Sequence, residues 1–266
     1  MKNSKKEKVL IQIKEKHCTI TLNNPEKHNR LDHEMIVQLI AAMDLLKMEK
    51  DMRVMVISGS GHQSFCSGFD FFSLPKTDKT VSVSPINPLG ALMDKIESIP
   101  YPIISRINGS AYGGGVELLC TTDIRVSVDS ALFALPPARI GIMYPPEGMR
   151  RFVSVLGQAN TRYLFFTAKR IDSPTALNMG LIHQHVKTEE ELDEVVEDLV
   201  DHIIHNAPMA VKGMKYQLNK MQESPQLSEE EMKKTIHMTT DCLKSKDYNR
   251  GLAAFIKREK PDFKGD

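Results

Sequence analysis

Short apolar runs alternate with amphipathic stretches through the first half of the chain. Val9–Ile13 and Thr19–Leu22 read as a hairpin pair, and Asn23–Lys27 after them carries turn residues. From about Asp32 to Lys47, Met35, Leu39, Ile40, Met43 and Leu46 share one face at helical spacing. Val54–Ser58 is a short buried strand, followed by a Ser- and Gly-rich loop, Gly59–Asp70. Lys76–Pro88 is polar, as a lid or substrate-side loop would be. A helix is predicted over Pro88–Glu97, and buried strands over Pro102–Ile107 and Asp123–Ser127. Strands alternating with helices predict parallel βαβ units. Beyond Pro145 the pattern turns helical: Ala159–Phe166, Ser173–Met179, Glu189–His205, Pro208–Met221, Ser228–Leu243 and Asp247–Arg258. The expected organisation is an α/β core over residues 1–200 and a helical region over 201–266.

Composition narrows this picture. With 266 residues, 41% hydrophobic and 26% charged, the chain can bury a core without a disulfide or metal staple. The net charge of +1 supplies no field for nucleic acid or an acidic membrane, so neither is expected as a partner. Cys18, Cys66, Cys120 and Cys242 are scattered and never spaced as C-x-x-C, which predicts reduced thiols. Met1–Lys8 is basic and polar, and Val9–Ile13 is too short for a signal-peptide core or a membrane span. A cytoplasmic location is expected.

Candidate chemistry sits in two glycine-bearing loops. Asn108-Gly-Ser-Ala-Tyr-Gly-Gly-Gly-Val-Glu117 runs from a buried strand into a helix. Its glycines leave backbone N–H groups bare, and a helix N-terminus adds partial positive charge, which suits a developing anion. The same segment also reads as a tight turn with close packing. Phe65-Cys-Ser-Gly-Phe-Asp70 is a second such loop. Loops at the C-terminal edge of neighbouring parallel strands can converge on one ligand.

These segments resemble the enoyl-CoA hydratase/isomerase, or crotonase, superfamily. The likeness is carried by Leu22–Leu31, Ser64–Asp70, Ile107–Leu118, Gly180–Val186 and Gly251–Phe263, in the family's order. It implies an α/β spiral of ββα units with a helical trimerisation region that completes the coenzyme A site. It also implies homotrimers, paired in some members into hexamers. The implied substrate is an acyl-CoA thioester, with coenzyme A as part of the substrate and no prosthetic group. The N–H groups of Phe69 and Gly114 match the family's two oxyanion donors. Backbone around Cys66, Ser67 and Gly68 matches the region that meets adenine. Lys27 and Arg30 lie where phosphate contacts are expected, and Arg258, with Lys257 or Lys260, matches a basic position reaching a neighbour's coenzyme A. For each basic residue a solvated surface role is the alternative.

Glu117 matches one of the two catalytic glutamates of the hydratases; its other reading is a glutamate stabilising the helix dipole. The second glutamate's position is taken by Pro137 in Phe133–Gly141, and Glu147 in the next loop is the possible substitute. Tyr144, the Leu74-Pro75 loop and Ser245–Gly251 are similar to the methylmalonyl-CoA decarboxylase branch, although that branch carries histidine where Phe69 stands. The expected reaction is decarboxylation of a malonyl-type CoA ester. A hydratase or isomerase using one glutamate is the alternative, and a non-catalytic CoA-binding or interaction module is a third reading. His183 with His185, and His202 with His205, lack a third ligand, so no metal is expected. No Walker A loop, G-x-S-x-G elbow or dinucleotide fingerprint is present.

Overall fold

The computed structural model describes residues 7–70, 88–140, 143–223, 228–257, 259 and 261–266. The expected lid over Lys76–Pro88, apart from Pro88, lies outside the described residues, as do Leu74-Pro75, Arg258 and Lys260.

Strands β1 (Val9–Lys14) and β2 (His17–Leu22) form the predicted antiparallel hairpin. β1 is an edge strand with only Val9 buried. Parallel to β2 run β3 (Val54–Gly59), β5 (Ile103–Ile107), β7 (Ile124–Val128) and β10 (Gln184–Val186), completing a six-stranded sheet in the order β1-β2-β3-β5-β7-β10. Every residue of β3 is buried, as its central position requires.

A second sheet departs from the sequence reading. The expected loop Gly59–Asp70 contains β4 (Ser64–Cys66), and the glycine segment contains β6 (Ser110–Tyr112). With β8 (Leu132–Ala134) and β9 (Ile171–Asp172) they form a four-stranded sheet in the order β4-β6-β8-β9. Strands of two or three residues are too short to show periodicity, which is why the sequence pattern missed them.

Helices α1 (His33–Lys47), α2 (Pro88–Glu97) and α3 (Gly114–Thr121) follow the predicted positions. Asp32 caps α1 by accepting from the Met35 N–H at 3.0 Å. α4 spans Pro146–Thr167, far longer than the predicted Ala159–Phe166, with a kink at Gly157 where φ is +70°. The chain therefore repeats one strand of the large sheet, one of the small sheet and one helix: β3-β4-α2, β5-β6-α3, β7-β8-α4. Then come α5 (Ser173–Asn178), α6 (Glu189–Ile204), α7 (Pro208–Glu223), α8 (Glu229–Lys244) and α9 (Lys246–Lys257). α6 packs on the large sheet, while α7, α8 and α9 contact one another in sequence.

Candidate active site

Parallel pairing of β4 with β6 sets Ser64 against Ser110 and Cys66 against Ala111. The loops leaving these strands therefore run side by side. Gly68 has φ +96°, and a Cβ there would stand 2.5 Å from the Tyr112 carbonyl oxygen and 3.1 Å from the Gly114 nitrogen. A Cβ on Gly114 would stand 3.1 Å from the Phe69 nitrogen. The backbone amides of Phe69 and Gly114 are thus close neighbours, approached over bare glycine. Gly114 is the first residue of α3, so its N–H has no acceptor within the helix.

The Phe69 loop is pinned from outside by the turn before α1. Leu31 N–H donates to the Gly68 carbonyl at 2.8 Å, Asp70 N–H to Leu31 at 3.1 Å, and Ser67 N–H to His28 at 2.9 Å. Buried Asn29 donates to the carbonyls of Ser60 and Ser64 at 2.9 and 2.7 Å. Lys27, Arg30, Cys66, Ser67 and Gly68 are brought together by these bonds. Lys27 is exposed, and Arg30 pairs with buried Asp70 at 3.1 Å, its Nε buried without a hydrogen-bond partner. A cleft of about 430 Å³ opens here, lined by Lys8, Lys27, Arg30, Asp32, His33, Glu34 and Asp70.

One turn beyond Gly114, Glu117 is buried. The Tyr144 hydroxyl donates to its Oε2 at 2.6 Å, and Arg151 Nη1 donates to its Oε1 at 3.0 Å. Burial pushes the Glu117 carboxyl above its usual range, against the opposing pull of Tyr144 and Arg151. Burial, then the Glu117 charge, hold the Tyr144 phenol well above its ordinary value, so it remains a donor. The Tyr144 ring meets Phe152 and Phe165 edge-on, each at 5.4 Å between centroids. Gly148 makes room for it: a Cβ there would stand 2.6 Å from Tyr144 Cε1 and 3.1 Å from Glu117 Oε1.

Sequence reasoning found Glu117 and Tyr144 but missed Arg151 and Gly148. The signal for Arg151 was a pair of acids, Asp94 and Glu97, three residues apart on α2. Pro137 is buried at the start of a short 3-10 turn, Pro137–Ile140. Glu147 is exposed in the first turn of α4. His183 Nδ1 accepts from the Arg125 N–H at 3.1 Å, and His185 pairs with Asp129. Among the described residues no group of three or more His, Cys, Asp or Glu is placed to hold a metal ion. Nor is any helix there long and apolar enough to cross a membrane. Cys18, Cys66 and Cys120 are free and buried, and burial pushes each thiol up to about 12.

The profile of the enoyl-CoA hydratase/isomerase family matches residues 12–266. The chain belongs to this family. It is 30% identical to a putative enoyl-CoA hydratase/isomerase of Bacillus subtilis, covering 97% of this chain and 98% of that one. It is 28% identical to the methylmalonyl-CoA decarboxylase of Escherichia coli, over 94% and 95% of the two chains. The crystal structure of an enoyl-CoA hydratase from Bacillus anthracis superposes with a TM-score of 0.84 at 25% identity, over 98% and 100% of the chains. The crotonase fold expected from the resemblance is therefore the fold present, and family membership makes the chain an enzyme of acyl-CoA metabolism.

Proposed function

We propose that this family member decarboxylates a malonyl-type CoA thioester, the coenzyme A arriving with the substrate. Breaking the bond between the α-carbon and the carboxylate releases carbon dioxide and leaves the electron pair on a thioester enolate. The N–H groups of Phe69 and Gly114 take the enolate oxygen, and a solvent proton completes the product. Lys27, Arg30 and the backbone of Cys66–Gly68 hold the coenzyme A, joined by Arg258 in a homotrimer.

The observation that carries this reading is the occupancy of Glu117. Both of its oxygens accept hydrogen bonds, one from Tyr144 and one from Arg151. A carboxylate tied in this way, with Pro137 at the second glutamate's position, is poorly equipped to divide acid and base work over a double bond. Decarboxylation asks less of it. It needs a poorly solvated carboxylate held out of conjugation and a stabilised enolate, and Tyr144 with its aromatic backing walls such a site. The relative named methylmalonyl-CoA decarboxylase supports the same direction.

One observation favours a hydratase or isomerase using one glutamate. Burial moves Glu117 toward the range where a carboxyl exchanges protons near neutral pH. Assays with malonyl-, methylmalonyl-, ethylmalonyl- and crotonyl-CoA separate the two. Carbon dioxide release from a malonyl ester is expected. Turnover of crotonyl-CoA at ordinary hydratase rates, with no decarboxylation, overturns the proposal.

A further inference from the structure

Arg151 has no exposed surface and is surrounded by carboxylates from two helices. Its Nε donates to Glu97 Oε1 at 3.0 Å, its Nη2 to Glu97 Oε2 at 3.2 Å and to Asp94, and its Nη1 to Glu117 Oε1 at 3.0 Å. Arg150 reaches the same Glu97 at 3.4 Å. A guanidinium is a rigid plane of donors. Two of its nitrogens, Nε and Nη2, are held by α2, so the direction of Nη1 is fixed as well. That direction is toward Glu117, whose other oxygen faces the Tyr144 hydroxyl. A cation serving only to neutralise Glu117 would need no such bidentate clamp.

We infer that Arg151 is a positioning residue: clamped by Glu97 and Asp94, it fixes Oε1 of Glu117 so that Oε2 meets Tyr144. The inference deepens the proposed decarboxylase and rests on that reading for the role of the Glu117–Tyr144 pair. The groups acting on Glu117 are Tyr144 and Arg151 in direct contact, Glu97 and Asp94 behind Arg151, and Cys120 on α3, whose buried thiol stays protonated. Arg151 and Glu97 act on it with opposite sign. Burial raises the Glu117 carboxyl overall; within that, Arg151 favours its ionised form and the Glu97 charge opposes it.

Opposite signs give a test that a merely structural role would not satisfy. Glu117 is titrated by the carbon-13 resonance of its carboxyl group, assigned by its loss in Glu117→Gln. The pH profile of kcat/KM is recorded for the substrate that the wild-type enzyme turns over. Arg151→Gln is expected to move the Glu117 titration and the acid limb upward by about one pH unit or more. Arg151→Lys, which keeps the charge, should move them less. Glu97→Gln is expected to move both downward. Shifts of the two glutamine variants in the same direction, or no shift in either, overturn the inference. Should Arg151→Gln fail to fold, the sign of the Glu97→Gln shift decides alone. The two proposals fail separately. Titration shifts of the expected sign without turnover of any malonyl ester leave Arg151 in place and remove the decarboxylase. Turnover with unmoved titrations does the reverse.

Discussion

At the scale of single residues, the site is governed by what surrounds Glu117. Tyr144→Phe removes the donor to Oε2 while keeping the ring against Phe152 and Phe165. Stability should change little beyond one hydrogen bond, about 1 kcal/mol. Decarboxylation should fall by about tenfold or more if Tyr144 orients the pair. Parallel denaturation and steady-state assays check this. If Tyr144→Phe and Glu117→Gln both left decarboxylation unchanged, the pair would have no part in the reaction. Gly148→Ala gives a sharper sign. In a helix alanine ordinarily stabilises by about 1 kcal/mol relative to glycine. Here its Cβ would overlap the Tyr144 ring, which its aromatic neighbours hold, so a net loss of about 1–3 kcal/mol is expected in urea denaturation. Glu117 and Tyr144 were legible in the sequence because each stands in a motif resembling the family. Arg151 was not, because an arginine in a helix usually faces water, and only the placement of α2 beside α4 buries this one.

At the scale of elements, two buried ionic anchors hold the late helices. Lys215 on α7 donates to Asp123 at 2.7 Å and to the Tyr101 carbonyl at 2.9 Å, tying α7 to the end of the large sheet. Lys215→Ala removes both bonds, while Asp123 stays partly exposed and keeps the Ile103 N–H, so a loss of about 1–3 kcal/mol is expected by thermal or urea denaturation. Asp247 on α9 accepts from the N–H groups of Lys264 and Gly265 at 2.8 and 2.6 Å and from Arg250 at 2.7 Å. Burial pushes the Asp247 carboxyl up, but these donors outweigh it and hold the net value below the usual carboxylate range. A depressed folded-state value contributes stability above the unfolded value of about 4 and loses it as pH falls further. Asp247→Asn should therefore flatten the fall in stability below about pH 4 and expose the segment 261–266 to proteolysis. Elements such as α1, α2 and β3 were legible from their apolar patterns. β4, β6, β8 and β9 were not, since each is defined by its neighbours in the small sheet rather than by its own pattern.

At the scale of the whole molecule, the helical region presents apolar surface to the outside. Met214, Leu218 and Met221 are exposed on α7 at positions four and three apart, and Met232, Ile236 and Leu243 are exposed on α8. Apolar faces of this kind mark association surfaces, and they support the proposed homotrimer. Sedimentation of the wild-type protein should give three times the 30.0 kDa chain. The double variant Leu218→Glu, Ile236→Glu should shift it to the single chain. A wild-type protein that sediments as one chain removes the trimer and the role proposed for Arg258.

The sequence by itself determined the order of the main strands and helices, the two glycine loops and the family they resemble. It could do so because periodicity and bare glycines are local properties. Only the tertiary structure decided that the loops meet through β4 and β6, and that Glu117 is gripped from both sides. The reason is that a hydrogen bond between α3 and α4, or a fully buried arginine shared by α2 and α3, exists only once distant segments have packed. The Phe69 and Gly114 amides were legible as candidates because the glycines beside them are visible in the sequence. Their closeness follows from the register of two strands that are too short for the sequence to announce.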